Sequence, residues 1–179
     1  GAVKYYVEIF NNDFTTDSSI QKITGFAGTN YTGYDHLEAK TVKIIRDDIV
    51  DTDDTVASGA IDTAAVPTGY VEVGLDYEVE VITNPVETKL PSGTIAGMKK
   101  RILEVSPRLF KTQNITINDR AIPLSTVPLP GLGKVPTFTG IKKTAGFLGF
   151  TEEAQITIKQ DQPVFMTVLA LDYKVSIAQ

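Results

Sequence analysis

Residues 70–82 read YVEVGLDYEVEVI, and the period of that run decides the fold class. Val71, Val73, Leu75, Tyr77, Val79 and Val81 fall on one side, while Glu72, Asp76, Glu78 and Glu80 fall on the other. Side chains alternate with a period of two only along an extended strand. The run predicts one long strand with an apolar face toward a core and an acidic face toward solvent.

Working outward, turn signals recur roughly every 8 to 12 residues, the spacing of short strands in a sandwich or barrel. They include Asn11-Asn12-Asp13, Gly28 to Gly33, Asp47-Asp48, Ser58-Gly59, Pro67-Thr68-Gly69 and Asn84-Pro85. Further on come Pro91-Ser92-Gly93, Asn118-Asp119, Gly146 to Gly149 and Asp161-Gln162-Pro163. Strand-like segments lie between them at 3–9, 41–45, 70–82, 99–110, 115–117, 155–159 and 164–177. In the last, Phe165, Leu169, Leu171, Tyr173, Val175 and Ile177 form one face. The opposite face is apolar through Val164, Met166, Val168 and Ala170, then polar at Asp172, Lys174 and Ser176. That change predicts a strand buried on both faces at its start and solvated on one face at its end. No amphipathic helix of useful length appears. The prediction is an all-β protein, an antiparallel sandwich or barrel-like fold with long ordered loops. At most one short helical turn is expected, within 146–154.

A chain of 179 residues is long enough to bury roughly 70% of its unfolded surface. Residues 1–179 read as a single β-rich module. A weak boundary is expected near 112–140, where Pro128, Pro130 and Pro136 stiffen the long loop 124–140. The opening Gly-Ala-Val without Met reads as a segment cut from a longer polypeptide. The absence of Cys excludes a disulfide framework, thiolate metal sites and a cysteine nucleophile. Seventeen basic against 22 acidic side chains give a net charge of −5, against a dedicated nucleic-acid binder. No apolar run reaches the roughly 18 residues of a membrane span.

No residue set declares a catalytic, cofactor or metal site. His36 is the single histidine, without a nucleophile-elbow serine or a second ligand; a structural or surface role is the preferred reading. The acidic stretch Asp47, Asp48, Asp51, Asp53 and Asp54 holds calcium-type ligands but lacks the EF-hand spacing, so a solvated turn is preferred. Lys99, Lys100, Arg101, Arg108 and Lys111 read best as basic residues blunting an exposed edge strand, with Pro107 marking an edge or bulge. Gly131-Leu132-Gly133-Lys134 lacks the strand, helix and hydroxyl residue of a phosphate loop.

Several blocks taken together resemble one family. They are Tyr6-Val7-Glu8 with Asp13-Phe14-Thr15-Thr16-Asp17, then Asp35-His36-Leu37-Glu38-Ala39-Lys40-Thr41-Val42, then Val73-Gly74-Leu75-Asp76-Tyr77. Lys99-Lys100-Arg101-Ile102 follows and leads to Pro107-Arg108-Leu109-Phe110-Lys111-Thr112. The close is Ile158-Lys159-Gln160-Asp161-Gln162-Pro163 with Thr167-Val168-Leu169-Ala170. Order and spacing resemble the C-terminal part of the tail tubular protein B family, the tail nozzle or stabilization proteins of short-tailed bacteriophages. Ala39 stands where that family usually has Gly, Arg46-Asp47-Asp48 stands where an Asp-Gly turn is usual, and 112–151 matches poorly.

The resemblance implies a structural virion protein of the tail, with no enzymatic activity and no cofactor. It implies a homohexameric ring in the parent protein, below an adaptor ring and in contact with tail fibres, through which genomic DNA passes without specific binding. Asp35, His36, Leu37, Glu38, Gly74, Leu75, Tyr77, Gln160, Asp161 and Pro163 become motif positions of structural importance. Glu72, Asp76, Glu78 and Glu80 become a candidate acidic channel or interface face. Two other classes stay open. One is a β-sandwich binding module for a surface glycan or receptor, using Tyr5, Tyr6, Tyr31 and Tyr34 as stacking surfaces. The other is an enzyme acting on cell-wall polymer.

Overall fold

A computed structural model describes residues 7, 9, 11–87, 89–90, 93–124, 135–147 and 149–178. The expected strand at 3–9 is thereby mostly outside the described residues, as are Tyr5, Tyr6, 131–134 and most of the loop 124–140. The protein is all-β, and its sheets are antiparallel. Among the described residues the helical element is one 3₁₀ turn, Asp35–Leu37. The helical turn expected within 146–154 is not seen among the described residues of that stretch, where Thr151 bridges Lys100 as an isolated β-pair. No sheet among the described residues closes into a barrel.

The chain divides into two compact units, one running to Tyr77 and the other starting at Glu78, with Val135 grouped with the first. The first unit contains β1 (Asp17–Lys22), β2 (Asn30–Thr32), β3 (Thr41–Arg46), β4 (Ile49–Val50), β5 (Asp54–Thr55), β6 (Ala60–Asp62) and β7 (Val71–Leu75). Its main sheet runs β1-β7-β3-β4, with β5 on β3, and β2 pairs with β6 in a separate two-stranded sheet whose strands enclose β3 to β5 in sequence. Tyr31, Tyr34, Leu37, Val42, Ile44, Val56, Ile61, Val71 and Val73 form its core.

The second unit contains β8 (Val79–Ile82), β9 (Lys89–Leu90), β10 (Gly93–Thr94), β11 (Lys100–Thr112), β12 (Thr116–Ile117) and β13 (Arg120–Ala121). It continues with β14 (Phe138–Ile141), β15 (Thr144–Ala145), β16 (Thr157–Gln160) and β17 (Val168–Ile177). One sheet has β11 at its centre, flanked by β17 on one side and by β14 and β15 on the other. A second runs β13-β12-β16-β8. Ile102, Val105 and Leu109 of the first sheet share one core with Ile117 and Ile158 of the second, which is sandwich packing.

The run at 70–82 is not one strand. It breaks at Asp76–Glu78 into β7 and β8, which belong to different sheets and different units. β7 sits between β1 and β3 and is buried on both faces from Val71 to Gly74. β8 is the outer strand of its sheet, and Val81 and Ile82 are exposed. The acidic face therefore does not exist as one surface: Glu72 is buried, whereas Asp76, Glu78 and Glu80 are exposed.

Two further corrections concern β11 and β17. β11 is a central strand rather than an exposed edge, and Lys100 within it is buried. Pro107 is tolerated there because it lies where the ladder on one side passes from β15, opposite Glu104 and Val105, to β14, opposite Arg108 and Leu109. Its carbonyl still accepts from the Lys142 N–H at 3.2 Å. The final strand begins at Val168 rather than 164. A bulge at Leu169 breaks its alternation, so Leu169 leaves the face on which the even period placed it.

Candidate functional site

The motif Asp35-His36-Leu37-Glu38 forms a clamp on the next hairpin. Leu37 is buried in the first core, anchoring the 3₁₀ turn. Glu38 then accepts the Gly59 N–H at 2.7 Å and the Ser58 N–H at 2.9 Å. Those two bonds, Gly59 first, hold its carboxyl below the usual carboxylate range. Ser58 and Gly59 make the two-residue loop between Ala57 and Ala60, both with positive φ. Gly59 packs so tightly on Asp35 that a Cβ would lie 2.5 Å from its Oδ1. The His36 Nε2 contacts the Ser18 carbonyl at 2.9 Å. His36 thus ties the turn to β1, and the geometry supports the structural reading.

Val73-Gly74-Leu75-Asp76-Tyr77 has a similar character. β1 carries an extra residue opposite β7, between Asp17 and Ile20. At that bulge the Asp17 carbonyl crosses Gly74, where a Cβ would stand 2.6 Å away. Leu75 packs on the first core, and Tyr77 is exposed. Asp76 lies 3.6 Å from Lys43, which also donates to Asp53 at 2.9 Å. At the other motif, Gln160 is buried and donates to the Gln162 carbonyl at 3.1 Å, and Asp161 accepts from Asn114 at 2.6 Å. Pro163 is buried.

The buried Glu72 is the residue that sequence reasoning misplaced most. Its Oε1 accepts the Thr15 and Thr16 N–H groups at 2.8 and 3.0 Å and the Thr16 hydroxyl at 2.8 Å, with the Thr15 hydroxyl at 3.4 Å. It organises the chain entering β1. Neither partner lies within 55 residues of it, so no local signal announces the role.

The acidic stretch is equally occupied, and its members point at different partners. Asp47 accepts from Thr68, Gly69 and Tyr70 N–H groups and the Thr68 hydroxyl, at 2.7 to 3.0 Å. Burial would raise its pKa, but these four donors outweigh it and pull the carboxyl down to about 2. Asp48 accepts from the Tyr70 hydroxyl at 3.0 Å, and burial together with that carboxylate pushes the Tyr70 phenol up. Asp51 pairs with Arg46 at 3.2 Å, and Asp54 accepts the Asp62 N–H at 2.7 Å. Among the described residues no three acidic or histidine side chains converge as metal ligands.

Tyr31 and Tyr34 are core residues, 5% and 0% exposed, and offer no stacking surface. Burial pushes the Tyr34 phenol up to about 12. The Lys22 ammonium stands 5.1 Å from its ring centroid. Of the basic set, Lys100 donates to the Ile95 carbonyl at 3.3 Å, and Arg101 stacks on Phe150 at 6.0 Å. In the second sheet of that unit Lys159 pairs with Glu80 at 3.1 Å, and in the first Lys174 pairs with Glu104 at 3.4 Å. A shallow, open depression of about 350 Å³ is lined by Asn118, Arg120, Gly146 and Phe147, and Arg120 is held there by the Ala145 carbonyl.

The motif side chains therefore fix backbone, and among the described residues they form no nucleophile–base–acid constellation. Among the described residues no helix is long and apolar enough to cross a membrane. Compared with models of known families and with curated proteins, the chain matches none.

Proposed function

We propose that this chain is a non-enzymatic structural part of the tail nozzle of a short-tailed bacteriophage, a β-scaffold that helps to form the channel for genome ejection. The observation that carries the reading is the colinear set of blocks from Asp35-His36-Leu37-Glu38 to Gln160-Asp161-Gln162-Pro163. The use of those side chains supports it: Glu38, Gly74 and Asp161 act on loops and strand contacts, as a rigid part requires, and not on a shared reaction centre. In this reading six copies of a longer parent chain form a ring in the virion tail, beside an adaptor ring and tail fibres. Exposed Asp76 and Glu78 disfavour capture of passing phosphates.

The test is the mass of the parent polypeptide under denaturing and then native conditions. The expected result is a subunit several times longer than this segment, in particles of six. A short chain that stays monomeric overturns the reading. Selective, saturable binding in a glycan screen would then favour a receptor-binding module, although the burial of Tyr31 and Tyr34 counts against that class.

A further inference from the structure

Among the described residues no strand lies beside the outer edge of β17. Among the described residues, β11 is the single ladder partner of this ten-residue strand. Long unpaired edges are templates for another strand, and proteins usually shorten or cover them. Leu169 at 60% and Tyr173 at 45% exposure add apolar surface along it.

The backbone fixes which groups face that edge. The Ala178 N–H donates to the Lys99 carbonyl, so residue 178 points its hydrogen-bonding groups at β11. Direction alternates along a strand, and no register shift interrupts Ala170 to Ile177 on the β17 side. Residues 170, 172, 174 and 176 therefore face β11, and 171, 173, 175 and 177 face outward in the sheet plane. The far side agrees independently. Pro107, directly opposite Leu171, points its carbonyl away from β17 to the Lys142 N–H.

We propose that β17 pairs edge to edge with β17 of a second copy of this chain, antiparallel about a two-fold axis at Tyr173. In that register Tyr173 meets its counterpart and Leu171 meets Val175, positions whose N–H and C=O groups point to the open edge. Asp172 falls opposite Lys174, and Lys174 opposite Asp172, on the face that already carries the Lys174–Glu104 pair. Charge selects this register. A shift centred on Asp172 sets two aspartates face to face, and one centred on Lys174 sets two lysines face to face, and like charges directly opposite are destabilising. The charges that elsewhere blunt an edge are here two residues apart with opposite sign, so a reversed copy matches them. A two-fold contact of this kind is isologous. It is distinct from the head-to-tail contact that closes a ring and does not rest on the nozzle reading; masses of two and six subunits separate them.

The experiment is analytical ultracentrifugation of the 179-residue chain over a concentration series. It compares the parent sequence, Asp172→Lys, Lys174→Asp and the double exchange. The parent is expected to dimerise reversibly. Each single change creates two like-charge contacts and weakens the dimer about tenfold. The double exchange restores it, even though Glu104 then faces an acid within its own chain. Hydrogen exchange supplies a readout that does not need the variants. The Leu171, Tyr173 and Val175 amides are protected in the dimer and exchange on dilution, while the Asp172 and Lys174 amides stay protected throughout. A monomer at every concentration overturns the proposal. So does a dimer that ignores the single changes, or one that the double exchange fails to restore.

Discussion

Glu72 illustrates how one buried acid can hold a chain entry. Two N–H groups and two hydroxyls converge on a single oxygen, and truncation would leave those donors buried without an acceptor. Glu72→Ala is expected to cost roughly 2–5 kcal/mol, as for other buried charge-assisted networks. Glu72→Gln keeps an oxygen in place and should cost roughly 1 kcal/mol; urea melts of the two variants check the difference. Asp47 acts through pH instead. Its folded carboxyl lies near 2 against an ordinary 3.8, so the stability it contributes is complete above about pH 4 and is lost as pH falls toward 2. Asp47→Asn should flatten the acid limb of a Tm-against-pH curve in that window. A parallel curve would mean that the four donors to Asp47 do not act on stability. Ala39 carries a φ of +61°, a left-handed conformation in which a Cβ is unfavourable. Ala39→Gly is expected to stabilise by about 0.5–1 kcal/mol, net of the added freedom of the unfolded chain, read as a rise in Tm.

At the scale of elements, hairpin turns were the most legible part of the chain. Asp47-Asp48, Ser58-Gly59 and Asn118-Asp119 each form a two-residue loop with positive φ at both positions, the geometry that Asn, Asp and Gly favour. Asp119 is exposed, and Asn118 uses its side chain to accept the Thr157 N–H at 2.7 Å. Asp119→Gly leaves that bond intact and relieves the second turn position, so a gain of roughly 0.5 kcal/mol is expected; Asn118→Gly should show no such gain. Strand continuity was not legible. The break at Asp76–Glu78 keeps the apolar and acidic residues in phase, so a period count passes through it unchanged. Edge or centre was not legible either, because strand order depends on residues far apart in sequence. β11 looked like an edge through its cations and Pro107, yet it carries partners on both sides. Gly74 is legible in the sequence only as a motif position; its reason is steric, since a Cβ there would meet the Thr16 hydroxyl and the Asp17 carbonyl. Gly74→Ala is expected to cost roughly 1–3 kcal/mol by forcing the β1 bulge away.

For the whole molecule, the net charge of −5 conceals an uneven distribution. Residues 1–77 hold 13 acidic and 5 basic side chains, whereas 78–179 hold 9 acidic and 12 basic, net charges of −8 and +3. The overall figure alone argues against a dedicated nucleic-acid binder; the stretch 78–179 makes that argument weaker and testable. Its excess is small, and several of its cations are already engaged. Lys100 is buried, Lys159 and Lys174 pair with carboxylates, and Arg120 is held by a backbone carbonyl. A channel part should let phosphates pass, and a dedicated binder should hold many at once. Each phosphate contact contributes about −0.9 to the slope of log K against log salt on duplex DNA. If about two or three of the remaining cations meet phosphates at once, the slope should be no steeper than about −3, and binding should vanish at physiological salt. Fluorescence anisotropy with a labelled duplex over a salt series measures it. A steep slope with binding that survives physiological salt would make the stretch 78–179 a nucleic-acid surface, and the nozzle reading would then have to explain how DNA escapes it.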